Sequence, residues 1–565
     1  MFPWGLEKIF LGYMIKSFDT SSYFEKITHF KNNKLLLIIL LLGLIVRLLP
    51  ILWGVPINPY VKNYHPDEPK VYQSILNFPG IYFSTQTFMG YGTFIQYILG
   101  LMFLPLKLMF KILGHQENYS IVAIVLSRFS NVVIGTISVC FTYYLASKIF
   151  DGKVAILSAL LLSLSFYHAI NSPIITLDVA MGLLLIINFI LSFNAVIKNN
   201  LSSYILLGVA SGMLLGIKIT GGLFFVIPVI LILFNLKNIP ADLSKKNYIF
   251  QQLKNVGVYV LVTIIIFLIF NPHVYLNPGK FINFYLREER DWIDRTSLSI
   301  SGTLIKWIIS TSTSVGFPIT ILAFIGILIL RKTNLYLQFA LVIFLLEYYL
   351  FWRWFIKPRY IISVTPIICI FAAHTLIFFY KKNNLVIKGI TVGILILTVG
   401  YSVYLSISGI KLRIEDTRPD ASRYIDQNIK EGSTLGIGYT SAKYSWKSHD
   451  WRYPKINFSK YKEENFLNEP DILILSSFDF IPIMETLNSN KIDSNFVLNK
   501  AYYKEWYRYS PPSSEILQFY NKIFNPKSSN YILIKSFKKN INVNIEFPPP
   551  EIRIYKKKDK MSFNN

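Results

Sequence analysis

Residues 35–53 read LLLIILLLGLIVRLLPILW, an apolar run long enough to cross the hydrocarbon core of a bilayer. It is the first of many. Comparable runs fall at roughly 119–147, 154–172, 178–197, 203–218, 221–236, 255–271, 303–330, 335–352, 360–380 and 385–407. Composition agrees: of 565 residues, 53% are hydrophobic and only 16% charged, against roughly 25% charged in a typical soluble chain. A soluble enzyme, a disordered chain and a secreted disulfide scaffold are excluded. The reading is a polytopic α-helical membrane protein.

Charge sets the orientation. Lys and Arg number 57 and Asp and Glu 32, a net +25. Much of this excess lies in short links between apolar runs, where it signals topology and attracts anionic headgroups; nucleic acid is not implied. Lys26, Lys31 and Lys34 precede the first run, so the N-terminus is expected in the cytoplasm. The stretch 91–113 is apolar but carries Pro105, Lys107 and Lys111. If it does not span, the links holding Lys148/Lys153, Lys198, Lys237/Lys245/Lys246, Arg331/Lys332 and Lys381/Lys382 all fall inside. We therefore expect an in-plane or re-entrant element there, and about eleven spans within a membrane domain of residues 1–409. The first external loop covers 54–118.

An odd number of spans leaves residues 410–565 outside, as a small α/β domain. Thr417 reads as a helix cap with Asp420 three positions on. Ala421, Tyr424, Ile425 and Ile429 share a face, and Gly432 can end the helix. Strands are expected at 471–476, 531–535 and 551–555. Cys140 and Cys369 lie in apolar runs and read as core residues, the seven histidines lack ligand spacing, and no cleavable signal peptide or internal repeat is evident.

Chemistry-bearing residues gather toward the outer ends of the runs. The first external loop opens with His65-Pro66-Asp67-Glu68-Pro69, followed by a short amphipathic helix with Val71, Ile75 and Phe78 on one side. Asp67 and Glu68 would sit at its N-terminus, where the helix dipole favours anions. That arrangement serves as capping alone, but a carboxylate on the outer membrane face can also accept a proton from an acceptor hydroxyl. Asp178 stands at the next outer turn. Arg128 lies about nine residues into its run, on the order of 13 Å along the helix; a charge at that depth either snorkels or faces the bundle interior. Lys218 and Arg359 end and start runs on the outer side, and with Arg128 could clamp a phosphate. The loop 272–302 holds His273 and the run Arg287-Glu288-Glu289-Arg290-Asp291-Trp292, a solvated helix or a lid. Glu347 near the outer end of a run suggests an interhelical salt bridge.

This ordered set resembles the GT-C glycosyltransferases, in particular the group of protein O-mannosyltransferases and the lipid A aminoarabinose transferase (glycosyltransferase family 39 and relatives). The matching residues are Pro66-Asp67-Glu68 before an amphipathic helix, Leu126-Ser127-Arg128 to Phe150, Thr176-Leu177-Asp178, Gly216-Ile217-Lys218-Ile219-Thr220, Asn271-Pro272 and Pro358-Arg359-Tyr360. Asp416-Thr417-Arg418 to Ile425 and Pro470-Asp471 to Ser477 are similar to the family's bacterial external tail. The resemblance implies a polyprenyl-phosphate sugar as donor. It implies Asp67 as base, Glu68 as its support and Asp178 as a second site acid. Arg128, Lys218 and Arg359 would contact donor phosphate, and His65, His273 and Arg287 would serve the acceptor or a lid. One departure stands out: where the aminoarabinose transferase has a Lys-Pro pair, this chain reads Gly90-Tyr91-Gly92-Thr93-Phe94.

The expected activity is inverting sugar transfer from a polyprenyl phosphate to a lipid, glycan or protein acceptor at the outer face of a bacterial inner membrane. No cofactor is demanded; a divalent metal, if one binds, would sit at Asp67 and Glu68. A flippase for lipid-linked glycans is the alternative. It fits less well because the ionisable residues avoid mid-membrane and no repeated halves are visible. An external binding module with a membrane anchor ranks last, since eleven spans exceed what anchoring needs.

Overall fold

The computed structural model describes residues 34–57, 60–61, 64–65, 67–80, 92–235, 244–294, 300–331, 334–352, 357–437, 455–457, 470–477, 480–481, 514–525, 529–545 and 548–558. Two compact units emerge. The first comprises residues 1–51 and 70–406, the second 52–69 and 407–565. Residues 52–69, which the sequence reading kept with the membrane part, thus group with the C-terminal residues.

Among its described residues the first unit forms helices and no strand. Among the described residues, five helices are long and apolar enough to cross a membrane: Phe94–Ile112, Gln116–Ile149, Leu177–Lys198, Lys245–Phe270 and Leu385–Ile414. Phe94–Ile112, expected in the membrane plane, falls in this class by length and composition. The chain is a multi-pass membrane protein.

Several expected spans are broken, each with a local cause. The run at 154–172 divides into Gly152–Ser163 and Phe166–Asn171, with Ser165 in extended conformation between them. The run at 303–330 divides at Gly316, whose φ is +95°, and the two halves meet at 117°. Pro318 at the start of the second half lacks an N–H for the helix before it, and glycine adopts this φ without the strain a side chain would add.

Packing within the unit relies on small residues. Gly208 and Gly212, four apart on Leu201–Ile217, face Lys245–Phe270. A Cβ on Gly208 would fall 2.9 Å from Tyr259 O, and one on Gly212 2.7 Å from Thr263 O. This is the small-xxx-small solution to helix approach where no hydrophobic driving force separates lipid from leucine. At the helix links, Asp151 caps Gly152–Ser163, accepting from the Lys153 and Val154 amides. It also pairs with Lys381 at 2.7 Å and Arg331 at 3.0 Å. Partial burial opposes its ionisation, but the bonds from Lys381, Val154 and Arg331 prevail and hold the carboxyl well below the ordinary range.

The second unit contains a five-stranded mixed sheet. Strands β1 (Leu435–Ile437), β2 (Lys455–Asn457), β3 (Ile472–Ser476), β4 (Tyr531–Phe537) and β5 (Ile552–Lys557) lie in the order β2-β1-β3-β5-β4. The first three are parallel, while β5 runs antiparallel to both β3 and β4. The helix Thr417–Asn428 covers one face, burying Ala421 and Ile425, with Ile429 beyond its end, against Leu435, Ile437, Ile472, Ile474, Ile552 and Ile554. Its cap differs from expectation. Asp416 accepts from the Arg418 amide, and Thr417 is displaced from that role because its hydroxyl donates to Pro550 O at 2.6 Å.

Candidate functional site

Within the first unit, Leu177–Lys198 begins one residue before Asp178, with Thr176 in extended backbone at the cap position. Asp178 is therefore a first-turn residue rather than the cap. Leu201–Ile217 ends where Lys218 turns to extended backbone. The two ends meet: Lys218 Nζ lies 3.0 Å from Asp178 Oδ1, and both side chains are almost fully buried.

Aromatic rings close over the lysine. Its ammonium stands 4.6 Å from the Tyr360 ring centroid and 5.6 Å from that of Trp352, and these two rings stack at 4.2 Å. Tyr348 fixes the arrangement by donating to Tyr360 O at 2.6 Å. The Arg359 guanidinium lies 5.4 Å from the Tyr360 ring. Asp178, expected as a second site acid, and Lys218 and Arg359, expected at the donor phosphate, thus gather around the Tyr360 ring. A lysine held by one carboxylate and two π faces is fixed in position at the end of its helix.

The stretch that departs from the aminoarabinose transferase pattern docks beside this lysine. The Gly92 amide donates to Ile217 O at 2.9 Å, and a Cβ there would fall 2.0 Å from Gly216 O, so only glycine fits. The Thr93 amide donates to Asn271 Oδ1 at 3.1 Å, and its hydroxyl donates to Phe270 O. Asn271 of the Asn-Pro pair is thereby a fastener between segments. His273 follows, buried, with Nδ1 lacking a hydrogen-bond partner among the described residues. Burial pushes its ring down to about 4, so it is neutral near pH 7.

Of the two readings its depth allowed, Arg128 takes the buried one, and it donates to Ile51 O at 2.7 Å. One turn on, Asn131 donates to Ser172 O at 2.9 Å and Ile174 O at 2.7 Å, anchoring the turn that leads to Asp178. Arg287 belongs to the helix Pro278–Asp294, and its side chain lies outside the described residues. Glu347 was expected to bridge helices; among the described residues its buried Oε2 has no hydrogen-bond partner.

In the second unit, His65 and Glu68 are buried and Asp67 is partly exposed. Glu68 opens the helix Glu68–Leu76, with Asp67 directly before it. The Asp67 amide donates to His65 Nδ1 and the Glu68 amide to His65 O, each at 3.3 Å. Pro66 lies outside the described residues. No group of three His, Cys, Asp or Glu side chains suited to a metal occurs among the described residues.

Sequence reasoning passed over Arg47, Asn131 and Trp352, and quoted Tyr360 in its motif without giving it a role of its own. Arg47 is wholly buried, donating to Gly43 O, Ser163 O and Leu162 O and paired with His168 Nδ1 at 2.9 Å. It satisfies carbonyls left open where Gly152–Ser163 ends. A charge inside an apolar run, the signal that marked Arg128, was present at Arg47 as well.

No curated protein matches the chain in sequence. Among solved structures, ArnT from Cupriavidus metallidurans bound to undecaprenyl phosphate aligns with a TM-score of 0.49 at 12% identity, covering 92% of this chain and 97% of that one. The apo oligosaccharyltransferase of Archaeoglobus fulgidus also gives 0.49 at 12% identity, covering 80% and 70%. Residues 101–276, the segment holding Arg128, Asp178, Lys218, Asn271 and His273, match the family model of dolichyl-phosphate-mannose-protein mannosyltransferase.

Proposed function

We propose that the chain is an inverting glycosyltransferase that moves a sugar from a polyprenyl phosphate to an acceptor at the outer face of the membrane. The observation that carries this reading is the buried Lys218–Asp178 pair inside the segment matched by the mannosyltransferase family. A membrane protein keeps such a pair despite its desolvation cost when the charge is needed.

In this reading Lys218, Arg128 and Arg359 contact the donor phosphate and stabilise the charge that develops on it. Asp178 positions Lys218. Asp67 takes the proton of the acceptor hydroxyl, whose oxygen attacks the anomeric carbon. The carbon–oxygen bond to phosphate breaks, the configuration inverts, and polyprenyl phosphate leaves with the electron pair. Phosphate is already a competent leaving group, so no general acid is required. Glu68 supports Asp67, and His65, His273 and Arg287 serve the acceptor or a lid. A structure of the Archaeoglobus fulgidus oligosaccharyltransferase was obtained with Zn and sulfate. For this chain Asp67 and Glu68 are the residues a divalent ion would meet, and no step above depends on one. About eleven spans, a cytoplasmic N-terminus and an extracytoplasmic C-terminal α/β domain complete the proposal, in a bacterial inner membrane.

The test uses the purified full-length chain in nanodiscs with a panel of undecaprenyl-phosphate monosaccharides, reading release of undecaprenyl phosphate and donor binding. Asp67→Asn should lower turnover by about 10²–10⁴-fold while donor binding stays near wild type. Full turnover by that variant overturns the base assignment. A flippase would instead move the intact donor across a vesicle bilayer without releasing its phosphate.

A further inference from the structure

The segment that delivers Asp67 is held by a buried node within the second unit. Gly54 has a φ of +69°, and a Cβ there would sit 3.0 Å from Tyr64 Cδ2 and 3.1 Å from Tyr64 N, so only glycine lets Tyr64 pack onto this turn. Trp53 and Tyr64 meet edge to face at 5.7 Å. Onto these rings fold residues from the C-terminal part of the chain. Trp53 Nε1 donates to Asp416 Oδ2 at 3.0 Å. Arg418 donates to the same carboxylate twice, Nε to Oδ1 at 2.8 Å and Nη2 to Oδ2 at 2.5 Å. Its guanidinium lies 3.5 Å from the Tyr64 ring centroid, and that of Arg413 lies 4.8 Å from the Trp53 ring. Arg418 is 0% exposed and Tyr64 1%.

This node combines one carboxylate, two guanidinium groups and two aromatic rings, all taken out of water. Its chemistry depends on planarity. A guanidinium can present two N–H groups to Asp416 along its edge while its face lies on Tyr64, whereas an ammonium cannot do both. Tyr64 is followed by His65, whose ring nitrogen and carbonyl accept from the Asp67 and Glu68 amides. The position of the acid is thus tied through two residues to the arginine stack. On the other side, Thr417 between Asp416 and Arg418 is fastened to Pro550, just before β5.

We propose that Arg418, held by Asp416, is a positioning residue for Asp67, so that the C-terminal part of the chain sets the geometry of the catalytic loop as well as forming a separate fold. This inference rests on the reading of Asp67 as the base. Small misplacements of a catalytic group cost large factors in rate, and the expected signature is a loss in kcat with the donor KM unchanged.

The experiment compares Arg418→Lys and Tyr64→Leu with wild type and Asp67→Asn in the full-length chain in nanodiscs, using the monosaccharide donor that wild type turns over. Amide hydrogen exchange is read over residues 52–69 and, as a reference, over 177–198. Arg418→Lys keeps the charge, and Tyr64→Leu removes the ring while leaving the arginine, so one variant stands if the other fails to fold. Each should lower kcat by about 10²-fold with donor KM within about twofold of wild type, and raise exchange over 52–69 alone. Wild-type turnover, a change in KM only, or a fall in kcat with unaltered exchange over 52–69 overturns the proposal. If Asp67→Asn is inactive while Arg418→Lys is fully active, the positioning role fails and the base assignment stands. If Asp67→Asn is fully active, the base assignment fails, whatever the loop does.

Discussion

Lys218 shows how a single charge is kept in a membrane bundle. Its ammonium lies against Asp178 and the Trp352–Tyr360 stack, and both partners of the ion pair are nearly inaccessible to water. Breaking such a pair by removing one partner leaves an uncompensated buried charge and costs about 3–5 kcal/mol, whereas removing both is far milder. Asp178→Asn should therefore lower the unfolding temperature in detergent sharply. Lys218→Met combined with Asp178→Asn should recover most of that loss, and the double variant should still fail to bind donor, because the phosphate contact is gone. Additive losses of stability would mean the pair is not coupled; normal donor affinity in the double variant would remove Lys218 from the phosphate site. The residue types of this cluster are legible in the sequence, since acids and cations at the ends of apolar runs stand out against their surroundings. Their pairing is not legible, because Asp178 and Lys218 are 40 residues apart and no spacing rule connects two helix ends. Trp352 is hidden for a different reason: an aromatic residue in an apolar run reads as core.

At the scale of helices, hydropathy reveals where apolar segments lie and says little about where they bend. The runs around 116–149, 177–198 and 245–270 form single helices. The run through Gly316 does not, because apolarity continues across a glycine at which the helix direction turns by 117°. Strands Leu435–Ile437 and Lys455–Asn457 escape notice because three residues are too few to show alternation. Helix approach is another feature hidden from hydropathy, since glycine adds nothing to it. Gly212 brings Leu201–Ile217 against Lys245–Phe270 so closely that a Cβ would lie 2.6 Å from Ile266 Cβ and 2.7 Å from Thr263 O. Backbone cannot yield as a flexible side-chain tip can. Gly212→Leu should therefore destabilise the chain by about 1–3 kcal/mol, the usual cost of overpacking, read as a lower midpoint of thermal unfolding in detergent. Gly257→Leu, at a position with no atom within 4 Å of a Cβ, is the control and should leave the midpoint unchanged. Equal midpoints for the two variants would show that the close approach does not hold these helices together.

The whole molecule poses a question of parity. With the N-terminus inside, an odd number of spans puts residues 407–565 outside, and an even number puts them inside. Two elements decide the count: Phe94–Ile112, which has the length and apolarity to span, and the bent pair Gly302–Val315 and Phe317–Leu328, which is either one broken span or a re-entrant loop. The basic links argue that only one outcome is consistent. Lys148 and Lys153, Lys198, and Arg331 with Lys381 sit at links that fall on one side in any regular up-and-down path, and such an excess belongs in the cytoplasm. The ion pairs of Asp151 with Arg331 and Lys381 join three of those links at one level, which agrees with their sharing a side. The proposed orientation is tested by cysteine labelling in intact cells, in a chain whose Cys140 and Cys369 are replaced by alanine. Ser536→Cys, exposed on β4, should react with a membrane-impermeant maleimide without permeabilisation. Lys153→Cys, exposed at a basic link, should react only after the membrane is opened. The reverse pattern would invert the molecule and place the acceptor reaction in the cytoplasm. Labelling of both positions in intact cells would mean that the basic links do not govern its topology.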